Sequence, residues 1–317
     1  MNLRRLRTGL HNRLFMQRVR WRTWLAERRY RLSGILGTRG MDCEPGSPLG
    51  VCLLTGNRDT LMALWALKSL LRFSPAEGWD VCIVSDGGLD AAHRQLLESH
   101  LRGVRVAGSE EHDKAIDAKL SGYPLTRQLR REFVLARKLI DPCFVMPSRR
   151  YLVLDSDVLF FGAPMELIER LRDGADGKNY FCRQEGCEAT FTEEEGKRIV
   201  GKAVMPDCNS GVGVIEKESI DLETIERALE ETEVLRRWRH VLEQSLYALL
   251  STRQGFGFFP PTYQVDMGGG LPPRETVCSH YVATARYRFY SAGIRWLEEE
   301  GFLREWSGDS GGRDGKV

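Results

Sequence analysis

The chain has 317 residues, 42% of them hydrophobic, with 46 Lys and Arg against 44 Asp and Glu, a net charge of +2. That length allows one large domain or two small ones with a sizeable core, and no apolar run approaches the ~20 residues that span a bilayer. The N-terminus is charged without an uninterrupted apolar segment, so no secretory signal is expected. The eight scattered cysteines form no Cys-x-x-Cys pair, which argues against a disulfide framework or structural zinc and for a reducing, cytoplasmic setting.

The near-neutral total hides an asymmetry. Residues 1–40 hold eleven Arg and one Glu, a net +10, which leaves −8 for the rest. The arginines are interleaved with Leu3, Leu6, Leu10, Leu14, Phe15, Val19, Trp21, Trp24 and Leu25, a spacing that suits a basic amphipathic helix. Such a helix either packs on its own domain or lies on an anionic membrane surface with its aromatics at headgroup level, at the inner face of a membrane. A cleaved Arg-rich transit peptide stays open, and nucleic acid is the weakest candidate partner. The expected organisation is a basic arm and linker over 1–47, one domain over 48–305, and a Gly-, Ser- and Asp-rich disordered tail over 306–317.

Within the domain, 51–55 is a short apolar strand, followed by the turn Gly56-Asn57-Arg58-Asp59 and an amphipathic helix over 60–73. A second strand, 81–84, ends at Ser85-Asp86-Gly87-Gly88. A helix over 89–101 and a third strand over 104–106 follow. A single helix spans 127–139, a buried strand 151–154, a helix 165–171 and a strand 180–183. The stretch 190–200 is polar and has no clear period. The stretch 208–215 mixes glycine with apolar residues, 222–250 is helical in two pieces, and 277–281 is a strand or loop carrying His280. Strand–helix alternation implies an α/β fold with a mostly parallel sheet and helices on both faces. Ligands in such sheets bind beyond the carboxyl ends of the strands. The turns after Thr55, after Val84 and at Asp155 should therefore converge on one edge.

The stretch Tyr151-Leu-Val-Leu-Asp155-Ser156-Asp157-Val-Leu-Phe-Phe161 sets two carboxylates between two apolar runs. Side chains alternate along a strand, so Asp155 and Asp157 point to one side and Ser156 to the other. Two carboxylates at the end of a core strand are costly to bury unless a cation meets them, and a divalent metal is the natural candidate. An acidic corner in solvent is the bland alternative.

The order of motifs resembles the GT-A-fold nucleotide-sugar glycosyltransferases, nearest to glycosyltransferase family 8, from about Gly50 to about Leu303. Six pieces carry it: the strand and turn from Val51 to Asn57, Ala136-Arg137-Lys138-Leu139, Leu154-Asp155-Ser156-Asp157, Asn209-Ser210-Gly211-Val212, Glu243-Gln244, and His280. The resemblance implies a metal-dependent, retaining hexosyltransferase-like enzyme acting on a UDP-sugar and an unidentified glycan, lipid-linked or protein acceptor. Asp155, Asp157 and His280 match the ligands of a divalent ion, Mn²⁺ with Mg²⁺ as the alternative. Leu54, Thr55, Gly56 and Asn57 match the segment lining the base, with Asp86 as an added contact. Arg137, with Lys138 competing, matches a donor-binding cation, and Asp155 and Ser156 flank the same site. Asn209, Ser210 and Gly211 match the segment under the transferred sugar. Glu243 and Gln244 match the pair facing the anomeric carbon. Glu185 is a weaker candidate for holding the sugar. The chain departs from the family after His280, where the usual His-x-x-Gly and lysine are replaced by His280-Tyr281-Val282-Ala283 and then Arg286 and Arg288.

Two rival readings have weight. Apolar residues before Asp-x-Asp also open the haloacid-dehalogenase phosphatases, where Asp155 would be a nucleophile, but the later acidic pair falls only at Asp309 and Asp314 with no strand before it. A non-catalytic membrane-surface or binding protein that keeps the fold is motivated by the Arg-rich arm.

Overall fold

In this computed structural model the described residues are 17–303, apart from Arg20, Arg31, Gly174, Ala175, Glu188 and 237–240. The expected tail over 306–317 and the first sixteen residues of the arm lie outside them. Leaving aside two-residue strands and one-turn helices, the strands are β1 (Gly50–Thr55), β2 (Asp80–Ser85), β3 (Arg105–Ala107), β4 (Arg150–Leu154), β5 (Val158–Phe160), β6 (Asn179–Arg183), β7 (Cys208–Glu216), β8 (Phe256–Phe258), β9 (Tyr263–Asp266) and β10 (Cys278–Tyr281). The labelled helices are α1 (Thr60–Arg72), α2 (Ala91–His100), α3 (Glu110–Lys119), α4 (Pro124–Glu132), α5 (Ala136–Ile140), α6 (Met165–Arg172), α7 (Glu193–Val200), α8 (Leu222–Glu231) and α9 (Leu242–Gln254). A further helix over 21–29 precedes them, and Arg295–Glu299 follows them.

Seven strands form the central sheet in the order β8-β6-β7-β4-β1-β2-β3. β4, β1, β2 and β3 run parallel, β8 runs parallel to β6, and β7 is antiparallel to both its neighbours. Strands covered on both faces read as continuous apolar runs, and alternate residues split between two cores. Val51, Leu53, Val81 and Ile83 pack with Leu64 and Leu67 of α1, whereas Cys52, Cys82 and Val84 pack with Leu246 of α9. A second sheet, β9-β10-β5, pairs β10 antiparallel to β5 with His280 opposite Val158. That register is what carries a residue near the end of the chain to the acidic pair.

Four expectations about elements change. The stretch 208–215 lies in β7, whose nine residues Cys208–Glu216 are all buried, and its pairing with β6 shifts register between Phe181 and Cys182, which stand opposite Gly213 and Asn209. Its glycines serve close packing: a Cβ on Gly213 would stand 3.1 Å from the Phe181 ring. The helix expected over 127–139 is α4 and α5, broken where Phe133 turns extended (φ −124°, ψ 100°). Arg130 straddles the break with a bidentate grip on Asp141 (2.6 and 2.8 Å), both side chains nearly inaccessible. That buried ion pair fixes the two short helices against each other where local propensity would continue one. The helix α3 went unread although Ser109 caps it and three acids fill its first turn. The polar stretch 190–200 holds α7, started by a Thr192–Glu195 capping box and stopped by left-handed Gly201.

Residues 40–50, expected as a linker, are pinned to the domain. Met41–Asp42 pair with Leu101–Arg102, and Ser47 donates to the Gly78 carbonyl (2.6 Å). Just before them, buried Lys68 donates to Thr38 Oγ1 (2.6 Å) and the Arg39 carbonyl (2.8 Å).

Candidate functional site

The carboxyl ends of β1, β2 and β4 open onto a cavity of about 260 Å³ whose lining includes Thr55, Gly56, Asp59, Asp86, Asp155 and Arg286. Leu54, Ser156 and Asp157 line it as well. The three turns expected to converge do so. Ligand atoms of Asp155, Asp157 and His280 lie within 4.8 Å of one another. Backbone bonds hold this arrangement: the Asp155 amide donates to the Gly211 carbonyl (2.8 Å) and the Tyr281 amide to the Asp157 carbonyl (3.0 Å).

The proton positions on His280 follow from its neighbours. The Gly211 amide donates to Asn209 Oδ1 (3.0 Å), and the Asn209 amide nitrogen donates to Gln184 Oε1 (2.8 Å), so the atom of Asn209 facing His280 is its carbonyl oxygen. His280 Nδ1, 2.8 Å from that oxygen, must then be the donor. The other nitrogen, Nε2, lies 3.1 Å from Asp157 Oδ1 and 3.5 Å from Asp155 Oδ2. A lone pair facing two carboxylates calls for a cation between them, a proton on Nε2 or a metal ion. Two carboxylates, one imidazole and a carbonyl that fixes the imidazole tautomer are a fitting donor set for a divalent metal. Burial alone would raise the Asp157 carboxyl, but His280 and then Arg286 hold it below the usual carboxylate range.

Lys138 is the cation that enters the centre. Its Nζ lies 2.7 Å from Asp155 Oδ1 and 3.4 Å from Glu243 Oε1, and donates to Ser210 Oγ at 3.3 Å. Burial would lower its pKa, but Asp155 and Glu243 raise it, so the amine stays charged. Glu243 is buried, and Ser210 Oγ donates to its Oε2 (3.1 Å). Burial pushes the Glu243 carboxyl up to about 7; Lys138 pulls it down and Asp155 pushes it further up. Gln244 is half-buried and fixed at both ends: its oxygen accepts from the Ser210 amide (3.4 Å) and its nitrogen donates to Cys187 Sγ (3.0 Å).

Other candidates sit further out. Arg137 pairs with Asp113 (3.2 Å) and reaches the Ser85 carbonyl (3.4 Å), beside the cavity rather than among its lining residues. Asn57 is engaged by Asp90, which caps α2. Glu185 lines a second cavity of about 460 Å³ together with Arg183, Gln184, Phe258, Tyr263 and Gln264. The Gln184–Asn209 bond links the two regions. A Cβ on Gly56 would stand 2.2 Å from the Asp86 carboxylate, so that glycine admits Asp86 to the cavity. Reading the sequence missed Asp59, which holds Arg286 (2.9 Å), and the apolar pair Val134 and Leu135 that lines the cavity from the break between α4 and α5. Asp155 as a nucleophile gains no support, since Lys138 holds one oxygen and His280 flanks the other.

No protein-family model and no curated protein matches the chain. Solved structures do. The galactosyltransferase LgtC in complex with donor and acceptor sugar analogs aligns over 82% of this chain and 99% of its own, at 19% identity and a TM-score of 0.54. Mouse xyloside xylosyltransferase 1 aligns over 77% of this chain and 99% of its own, at 15% identity and a TM-score of 0.46. The first likeness establishes the fold, the GT-A arrangement of a mostly parallel sheet flanked by helices.

Proposed function

We propose that this chain is a metal-dependent glycosyltransferase that moves a sugar from a nucleotide-diphosphate donor, a UDP-sugar, to an acceptor. The observation that carries the reading is the gathering of Asp155, Asp157 and His280 within 4.8 Å at the carboxyl edge of a GT-A sheet. These residues would hold the divalent ion, and the mixed carboxylate–imidazole set suits Mn²⁺ better than Mg²⁺. When bound, the ion supplies Lewis-acid neutralisation of the charge on the departing diphosphate.

The chain's own residues divide the remaining work. The Thr55–Gly56 backbone and Asp86 offer polar contacts to a base edge, and Val134 and Leu135 an apolar wall for its face. Arg286, 3.9 Å from Asp157, presents a guanidinium suited to phosphate oxygens and stands where the family's lysine is missing. Asn209 keeps His280 in its ligand tautomer. Lys138 fixes the Asp155 carboxylate and the Ser210 hydroxyl together. Gln244, a neutral amide held at both ends, can bond a sugar hydroxyl but is a poor nucleophile, so if the transfer is retaining, as the family resemblance implies, it runs on the front face without a covalent intermediate. We place the acceptor in the second cavity, whose Phe258 and Tyr263 rings and Glu185 carboxylate suit a glycan.

Calorimetry with UDP, with and without Mn²⁺, tests the reading. Binding that requires Mn²⁺ and vanishes in Asp155→Ala and Asp157→Ala is the expected result. Donor hydrolysis or transfer unchanged by either substitution would end it, and the absence of metal-dependent binding to any nucleoside diphosphate would leave a non-catalytic protein that keeps the fold.

A further inference from the structure

The helix over residues 21–29 is packed inside out. Ala26 is buried in the core, and Val19, Thr23 and Tyr30 are half-buried at positions that repeat with the helical period. The opposite side holds the large residues: Trp21 is 62% exposed, Trp24 45% and Leu25 39%. Arg18 and Arg28 are exposed on that side too. A helix that only covers its own domain turns its largest apolar side chains inward. Here a small residue faces in and two indoles face out. The helix is nevertheless attached: the Tyr290 hydroxyl donates to Glu27 Oε1 (3.0 Å) and the Arg22 guanidinium lies 5.7 Å from the Tyr287 ring centre. Arg28 lies 4.4 Å from the Trp24 ring centre, so the outward face is both aromatic and cationic.

We propose that this face, with Trp21, Trp24 and Leu25 at its centre, docks on the surface of an anionic lipid bilayer. Indole rings with an apolar body and one N–H donor settle at the headgroup level, and guanidinium groups meet lipid phosphates there. Charge argues for the same occupant. The first 40 residues carry +10 and the remainder −8, so an anionic surface attracts this end of the chain and repels the rest. Among the described residues no helix is long and apolar enough to cross a membrane. The proposal goes beyond the transferase reading and rests on none of it.

Co-sedimentation of the full chain with phosphatidylcholine vesicles, with and without phosphatidylserine, tests it. Binding is expected only with phosphatidylserine and is weakened by salt. Trp21→Ala/Trp24→Ala is expected to bind roughly tenfold more weakly, and Arg18→Gln and Arg28→Gln roughly fivefold more weakly each. All four residues are on the exposed side, so the thermal midpoint should match the parent's; if the tryptophan variant unfolds, the arginine variants decide. Equal binding to neutral vesicles, or unaltered vesicle binding in all variants, would overturn the proposal. So would a concentration-dependent dimer, or retention on RNA, that the substitutions abolish while vesicle binding is absent.

Discussion

A Cβ on Gly211 would stand 2.1 Å from His280 Nδ1, so β7 leaves room for the imidazole only because residue 211 is glycine. Gly211→Ala should push His280 off the acidic pair. The expected outcome is a roughly 10–100-fold loss of Mn²⁺-dependent UDP affinity by calorimetry, the scale seen when a ligand's support is disturbed. A Gly211→Ala protein with parental affinity would show that His280 is not a ligand.

Asn209 stands against His280, and this predicts a measurable difference from a residue that only touches sugar. Asn209→Ala removes the acceptor for His280 Nδ1–H and for the Gly211 amide. Mn²⁺ affinity in the absence of any nucleotide should fall by roughly 10–100-fold. If it stays put while the KM for donor rises, Asn209 serves the sugar and not the imidazole.

Lys138 is shared by two carboxylates, so removing it strands both. Lys138→Met should lower stability by about 3–5 kcal/mol in denaturant unfolding, the cost of leaving a buried charge uncompensated. Lys138→Met/Glu243→Gln should recover part of that loss, because one of the stranded charges is gone. A double variant no more stable than the single one would mean that Glu243 is not coupled to Lys138.

Glu243 also gives a pH dependence. Its folded carboxyl is pushed from the ordinary 4.5 up to about 7 by burial. Below the lower value the group is protonated folded or unfolded and has no effect. Between the two values the unfolded chain releases a proton that the folded one keeps, so metal-free stability declines as pH rises through that interval. Thermal unfolding of metal-free protein should show the decline, and Glu243→Gln should flatten it. An unchanged slope in the variant would assign the effect elsewhere.

The central strands and the acidic pair were legible because their signals are local: apolar runs of strand length, and two carboxylates two residues apart. The break between α4 and α5 was not, because it depends on the Arg130–Asp141 pair, whose partners are eleven residues apart. α3 and α7 were legible in principle, since Ser109 and the Thr192–Glu195 box are cap signals that an acidic, aperiodic stretch obscures. At the site, the convergence of Asp155 and His280 needs the β10–β5 pairing, which no local pattern reports. The choice between Arg137 and Lys138 is likewise tertiary: neighbours on one helix, the first pairs with Asp113 and the second reaches Asp155.

On the transferase reading, the lining of the first cavity predicts an order of loading. Among the described residues, Asp59, Asp86, Asp155 and Asp157 line it together with the cation Arg286, and Lys138 meets Asp155 at 2.7 Å, so acids still outnumber cations. A nucleoside diphosphate, itself anionic, is repelled from that space as it stands. On that reading the donor would enter with its metal or after it, and apparent donor affinity should follow free Mn²⁺ concentration until the three proposed ligands saturate.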